Sequence, residues 1–253
     1  MNVPHPERRK SRGPYAAGNW LAVLVIPVAI ALACFAIDLN ASERLTSDIG
    51  RGPLLCLAAG VLELLVILSA VPWWSASLLE RAAFGALIAA CRVAAMTVAV
   101  TVLLFLLMFL QVRSTFVVAL KVQVVVLCVG LLVTGVAGIL RLLFRSTTAA
   151  ALVTMLLGFA AFASPFWGNV FVQSAGEGAK SWAIGFVVKA TPLSALASAV
   201  GYDLFRGRML YVLSAVSDYP HTLPTWWAYA LATGRLSVLA LIGVVIVVHR
   251  RLT

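Results

Sequence analysis

The sequence predicts an all-α integral membrane protein with six transmembrane helices, a short surface helix after the second span and a re-entrant helical hairpin before the last. Two observations carry this. Of its 253 residues 62% are hydrophobic and only 11% charged, and the mean hydropathy of +1.04 lies far above that of a water-soluble globule. The apolar residues are also gathered into runs, and about 20 such residues suffice for a helix to cross roughly 30 Å of hydrocarbon. Helices are the economical solution, because a helix pairs its own backbone groups where no water is available.

The expected spans, in order, are residues 20–37, 54–71, 93–110, 122–140, 148–167 and 225–248. Residues 1–19 form a basic cytoplasmic segment containing Arg8, Arg9, Lys10 and Arg12, and residues 20–253 form a single transmembrane domain. Basic residues are retained on the cytoplasmic side near span ends. With the N-terminus inside, Arg81, Arg92, Arg141, Arg145, Arg250 and Arg251 all fall on that side, so both termini are expected to be cytoplasmic. The other side is not free of basic residues, with Arg44, Arg51, Arg113, Lys121, Lys180, Lys189, Arg206 and Arg208, but Glu43, Asp48, Glu177, Asp203 and Asp218 also lie there. The net charge of +10 is spread over span ends. That pattern fits topology and contact with anionic membrane lipids, and it does not suggest nucleic acid.

Chemistry-bearing patterns are sparse. Cys34, Cys56, Cys91 and Cys128 lie in or beside spans without a Cys-x-x-Cys spacing, and His5, His221 and His249 are scattered. These read as packing and end residues, so neither a metal site nor a cofactor is expected. No nucleophile–base pair or aspartate pair falls at membrane depth, which leaves no basis for an enzyme. Trp73, Trp74, Trp167, Trp226 and Trp227 sit near span ends, as interfacial anchors do. Gly130, Thr134 and Gly138 share one face of the fourth span and permit close helix approach, within the bundle or at a dimer seam.

Glu63 stands near the middle of the second span. A charge there costs about 2.5–3.5 kcal/mol even on a lenient scale, so it must face protein or water or be protonated. Either it contacts a cationic substrate or relays protons, or it ties neighbouring helices together. Arg235, about ten residues into the last span, snorkels outward, marks a break, or pairs with Glu63.

Residues 72–92 are too polar at Glu80 and Arg81 for mid-span and too apolar for a free loop. Leu78, Leu79, Ala82, Ala83, Ala86 and Leu87 recur at helical spacing, which predicts a short amphipathic helix at the inner surface. Further on, residues 181–200 are apolar but interrupted at Lys189 and Thr191-Pro192, which predicts a re-entrant hairpin within about 176–215. The alternative, a seventh span, would place Arg250 and Arg251 outside.

Leu79-Glu80-Arg81 followed by Phe84, Gly85 and Leu87 resembles the segment after the second span in permease subunits of the type-2 ATP-binding-cassette (ABC) exporter family. The match departs at Ala86, where that family usually has threonine, and it lacks the acidic residue that follows. The layout over nearly the whole chain is also similar, and Pro192-Leu193, Tyr202-Asp203 and Arg206 are similar to bacterial members. The resemblance implies that Glu80, Arg81, Phe84 and Gly85 belong to a coupling helix that fits a groove on an ABC-type ATPase. It also implies that the hairpin with Lys189, Pro192, Tyr202, Asp203 and Arg206 closes the outer end of the path, in a bacterial plasma (inner) membrane. The chain itself has no Gly-x-x-x-x-Gly-Lys-Ser/Thr loop to cradle ATP. The implied assembly is therefore a homodimer, or a heterodimer with a related permease, on separate ATPase subunits. It would export amphipathic cargo such as a lipid, glycan, peptide or drug. The competing class is an ion-coupled carrier using Glu63, or a structural subunit of a membrane complex.

Overall fold

A computed structural model of the protein describes residues 25–34, 36, 50–79, 85–111, 115–144, 146–203 and 222–252. These residues are helical apart from short connections, and none of them is in a strand. The helices are α1 (Val25–Cys34), α2 (Arg51–Leu79), α3 (Gly85–Gln111), α4 (Phe116–Leu143), α5 (Thr147–Phe162), α6 (Ser164–Ser174), α7 (Glu177–Ala190), α8 (Pro192–Val200) and α9 (Trp226–Leu252). Four of them, α2, α3, α4 and α9, are long and apolar enough to cross a membrane. The pairs α5–α6 and α7–α8 bring the number to six if each bent pair is one span. Leu106, Val117, Leu156 and Leu239 are each more than half exposed on the outside of the bundle. Such an apolar exterior fits a multi-pass membrane protein, since water would oppose it.

Helix α4 is the hub. It packs against α2, α3, α5, α8 and α9, and its buried side is built from small or β-branched residues, including Ala119, Val122, Val126, Gly130, Gly135 and Gly138. With no gain from expelling water between helices in lipid, such faces associate by close van der Waals approach. A Cβ on Gly60 would meet Val122, and one on Gly130 would meet Val93 and Ile67, so α2 and α4 run parallel in direct contact, with α3 packed antiparallel against both. The face predicted from Gly130, Thr134 and Gly138 is spent inside this chain, with the Thr134 hydroxyl donating to the Gly130 carbonyl at 2.9 Å. On the far side, α9 lies along α4, and the Ser237 hydroxyl donates to the Cys128 carbonyl at 3.1 Å. Helix α1 packs on α2 and α3 through Ile30 and Cys34 against Leu55, Ala59, Val100 and Leu104.

The span boundaries differ from those expected. α2 continues past Val71 through Pro72 to Leu79, and α3 begins at Gly85, ahead of the expected start at Val93. Proline is tolerated here because an interrupted backbone would find no water, so the helix absorbs the lost hydrogen bond. Among the described residues of 72–92 no separate surface helix is seen: residues 72–79 end α2 and residues 85–92 open α3. Glu80, Arg81 and Phe84 lie outside the described residues, as do Arg206 and the basic N-terminal segment.

The expected fifth span, residues 148–167, is not continuous. It breaks at Ala163 and turns by 63° into α6. Pro165 is the reason, since it supplies no N–H and its ring would strike the carbonyl one turn earlier. The freed carbonyls at the end of α5 are not orphaned. The Trp167 indole donates to the Ala160 carbonyl at 2.6 Å, so this tryptophan caps a break, a role beyond the interfacial anchor expected of it. The Thr191 hydroxyl donates to the Phe162 carbonyl at 3.2 Å.

Thr191 is itself the second break, where α7 turns by 71° into α8, as the Thr191-Pro192 pair predicted. Its hydroxyl also accepts from the Leu193 N–H and so caps α8. Thus one side chain fastens two helix breaks together. α6 and α7 fold back on each other around Val172, Ala183, Ile184, Val187 and Val188, while α8 is buried almost throughout between α2, α4 and α9. Thr191→Val keeps the shape and removes both bonds. It is expected to cost about 1–2 kcal/mol, seen as a lower melting temperature of the purified protein, and an unchanged value would show that the joint is not fastened there.

Candidate functional site: a polar cluster inside the bundle

Glu63 lies in the interior of α2, fully buried, with the side chains of Thr97 from α3 and Gln123 from α4 turned towards its carboxylate. Cys34 of α1 is a further electrostatic neighbour. Neither carboxylate oxygen has a hydrogen-bond partner within good geometry, and the same holds for the Thr97 hydroxyl and both polar atoms of the Gln123 amide. Three helices therefore bring polar side chains together in an otherwise apolar core formed by residues such as Leu64, Ile67, Met96, Val122 and Val126.

The Thr97 side chain is distinctive. Helical threonines usually satisfy their hydroxyl on the carbonyl four residues back. Here Thr101, Thr134, Thr154 and Thr233 all do so, at 2.7–2.9 Å. Thr97 makes no such bond and faces Glu63. The packing above and below the cluster is close. Gly60 lets α2 approach Val122 and Leu196 on one side, and Gly130 lets α4 approach Val93 and Ile67 on the other. The helices around Glu63 thus have little freedom to spread.

The proposed pairing of Glu63 with Arg235 is not formed. Arg235 is on the exposed face of α9, and Glu63 is enclosed by α2, α3 and α4; of the alternatives for Arg235, outward snorkelling agrees with this position. Lys189 is exposed at the last turn of α7, Pro192 is buried at the first turn of α8, and Tyr202 and Asp203 are half-buried just beyond it. Gly201 ends α8 in the left-handed conformation, φ 75°. The Tyr202 N–H closes the turn by donating to the Ala197 carbonyl at 2.9 Å. Gly85 is buried at the start of α3. None of these joins the Glu63 cluster.

Thr97 and Gln123 were missed in the sequence because each is a single uncharged polar residue in an apolar run. A usable signal did exist: Gln123 is flanked by Val122, Val124, Val125 and Val126, and an amide has no inexpensive place in such a run except facing another polar group.

Near the two helix breaks lies an apolar cleft of about 220 Å³, lined by Leu68, Val133, Thr154, Gly158, Pro192 and Tyr229 among others. Among the described residues no group of three or more His, Cys, Asp or Glu side chains is placed to hold a metal ion. The chain matches no family model, no curated protein and no solved structure.

Proposed function

We propose that the chain is the membrane-spanning permease subunit of an ABC-type exporter. In this reading it moves an amphipathic substrate with ATP hydrolysed by a separate ATPase subunit, and it functions as a homodimer or with a related permease. The single observation that carries the reading is the folded-back segment before the last long helix, where the α5–α6 and α7–α8 breaks are joined through Thr191. A helix pair that turns back at membrane depth suits the outer closure of a translocation path better than a plain crossing does. The apolar cleft beside the joint is of the kind that accepts hydrocarbon.

In this reading α1, α2, α3, α4, α5 and α9 are the six spans, both termini are cytoplasmic, and the membrane is a bacterial plasma membrane. The basic residues Arg92, Arg141, Arg250 and Arg251 support that orientation. Closure of the ATPase pair would push on the segment linking α2 to α3, with Glu80, Arg81, Phe84 and Gly85 transmitting the motion, and would bias the path between inward-open and outward-open states.

The test is to purify the tagged protein from its native membrane and measure ATP hydrolysis on what accompanies it. A stoichiometric partner with a phosphate-binding loop is expected. Replacing Glu80 and Arg81 together by alanine should lower substrate-stimulated hydrolysis about tenfold or more, the loss of charge-assisted contacts worth about 1.5–3 kcal/mol, while insertion is retained. Full stimulation in that variant would refute the coupling assignment. One observation favours the ion-coupled carrier instead: the enclosed Glu63 carboxylate. That reading requires transport without any ATPase in the purified complex.

A further inference from the structure

We propose that Glu63, Thr97 and Gln123 form a binding site for one small monovalent cation inside the bundle. The site stands whether transport is driven by ATP or by an ion.

The first argument is charge. A fully buried carboxylate in low dielectric is strongly disfavoured unless balanced. Its neighbours are a hydroxyl, an amide and a thiol, so none of them supplies a positive charge. Arg235, the basic residue within the last long helix, is exposed elsewhere. One positive charge balances one carboxylate; a divalent ion would leave a net charge of equal cost.

The second argument is the donor set. The two carboxylate oxygens, the Thr97 hydroxyl oxygen and the Gln123 amide oxygen make four oxygen donors from three helices, and none has a hydrogen-bond partner. Oxygen-only ligation selects hard cations and disfavours soft transition metals. Thr97 departs from the habit of the other helical threonines by leaving its own helix backbone, the orientation a ligand requires.

The third argument is rigidity. Close contacts at Gly60 and Gly130 on either side of the cluster hold α2, α3 and α4 at fixed separation, so the ligand oxygens cannot be drawn apart without moving helices. Occupancy therefore links three helices at once. Two cations share the required chemistry, the proton and an alkali metal ion. The other ionisable side chains facing this region are Cys34 on α1 and Cys56 on α2; α3 carries Arg92 more than a turn away and α4 carries Lys121, which lies over the Trp226 ring.

The experiment uses the full chain in lipid nanodiscs and follows its thermal unfolding. Sodium, lithium or potassium chloride is titrated against choline chloride at constant ionic strength, and pH is varied separately in choline chloride alone. A ligand that binds only the folded state at about a hundredfold excess over its Kd should raise the melting temperature by on the order of 5 °C. The rise should saturate and be absent in Glu63→Gln. Thr97→Val and Gln123→Leu, which keep the carboxylate, should move the titration midpoint about tenfold.

A saturable response to an alkali ion at fixed pH assigns the site to a metal ion. A pH response in choline, lost in Glu63→Gln, assigns it to the proton. Wild type and Glu63→Gln responding alike in every series would overturn the proposal. Should Glu63→Gln fail to fold, midpoints unmoved in both Thr97→Val and Gln123→Leu would overturn it equally.

Discussion

Gly135→Leu is expected to part α9 from α4 and to prevent recovery of a monodisperse protein. A Cβ at this position would lie 2.7 Å from the Ala240 Cβ, an atom with no rotamer by which to move aside. The next nearest atoms are backbone, the Leu241 nitrogen and the Ser237 carbonyl oxygen at 3.6 Å. At Gly158, by contrast, the atom in the way is the tip of Leu68, which can turn. Overpacking usually costs about 1–3 kcal/mol and sometimes more; where helix must move against helix, the upper end of that range applies. The shift would also break the Ser237 hydroxyl bond to the Cys128 carbonyl.

A disulfide reports the separation directly. A Cβ on Gly234 would lie 3.4 Å from the Cys128 sulfur, so Gly234→Cys, with Cys34, Cys56 and Cys91 replaced, should cross-link to Cys128 under mild oxidation. Adding Gly135→Leu should abolish the cross-link. An undiminished yield would show that α4 and α9 tolerate the side chain.

Glu63→Leu is expected to raise the stability of the protein by about 2–3 kcal/mol while removing its response to cations. Replacing a buried charged group by an apolar one of similar volume is often stabilising, whereas removing half of a satisfied pair is costly. Glu63 has no bonded partner to bereave, and Thr97 can return to the carbonyl of Val93 on its own helix once the carboxylate is gone. The Gln123 amide is left as it was. Denaturant unfolding in mixed micelles measures the change. A loss of more than about 1 kcal/mol would instead mark Glu63 as a structural tie between helices.

The helical character was legible because runs such as residues 122–140 admit few other structures in lipid, and the break at Thr191-Pro192 was legible because proline leaves a local mark. Pro72 and Pro165 were read the wrong way round, the first as a helix end and the second as part of a continuous span. Pro72 lies inside α2, which continues past it to Leu79. Pro165 interrupts α5–α6, and the apolar residues on both sides disguised the interruption as one span. Glu63 was visible because a carboxylate in hydrocarbon is costly at any register. Its neighbours were not: the Gly130, Thr134 and Gly138 spacing marked a close-packing face of α4, but a sequence apolar on every side does not tell which helices that face meets, or that Thr97 and Gln123 come beside Glu63. The Arg235 pairing failed for the same reason: α9 presents that position outwards, which charge alone could not tell.

The central position of α4 sets an order on biosynthesis. Its small-residue side towards α9 is made early, yet roughly 80 residues separate Leu143 from Trp226. At about 5–20 residues per second, the ribosome leaves Gly135 and its neighbours without their native cover for several seconds. In that interval the groove is open to any other nascent helix, so correct assembly depends on keeping strangers away until the last segment arrives.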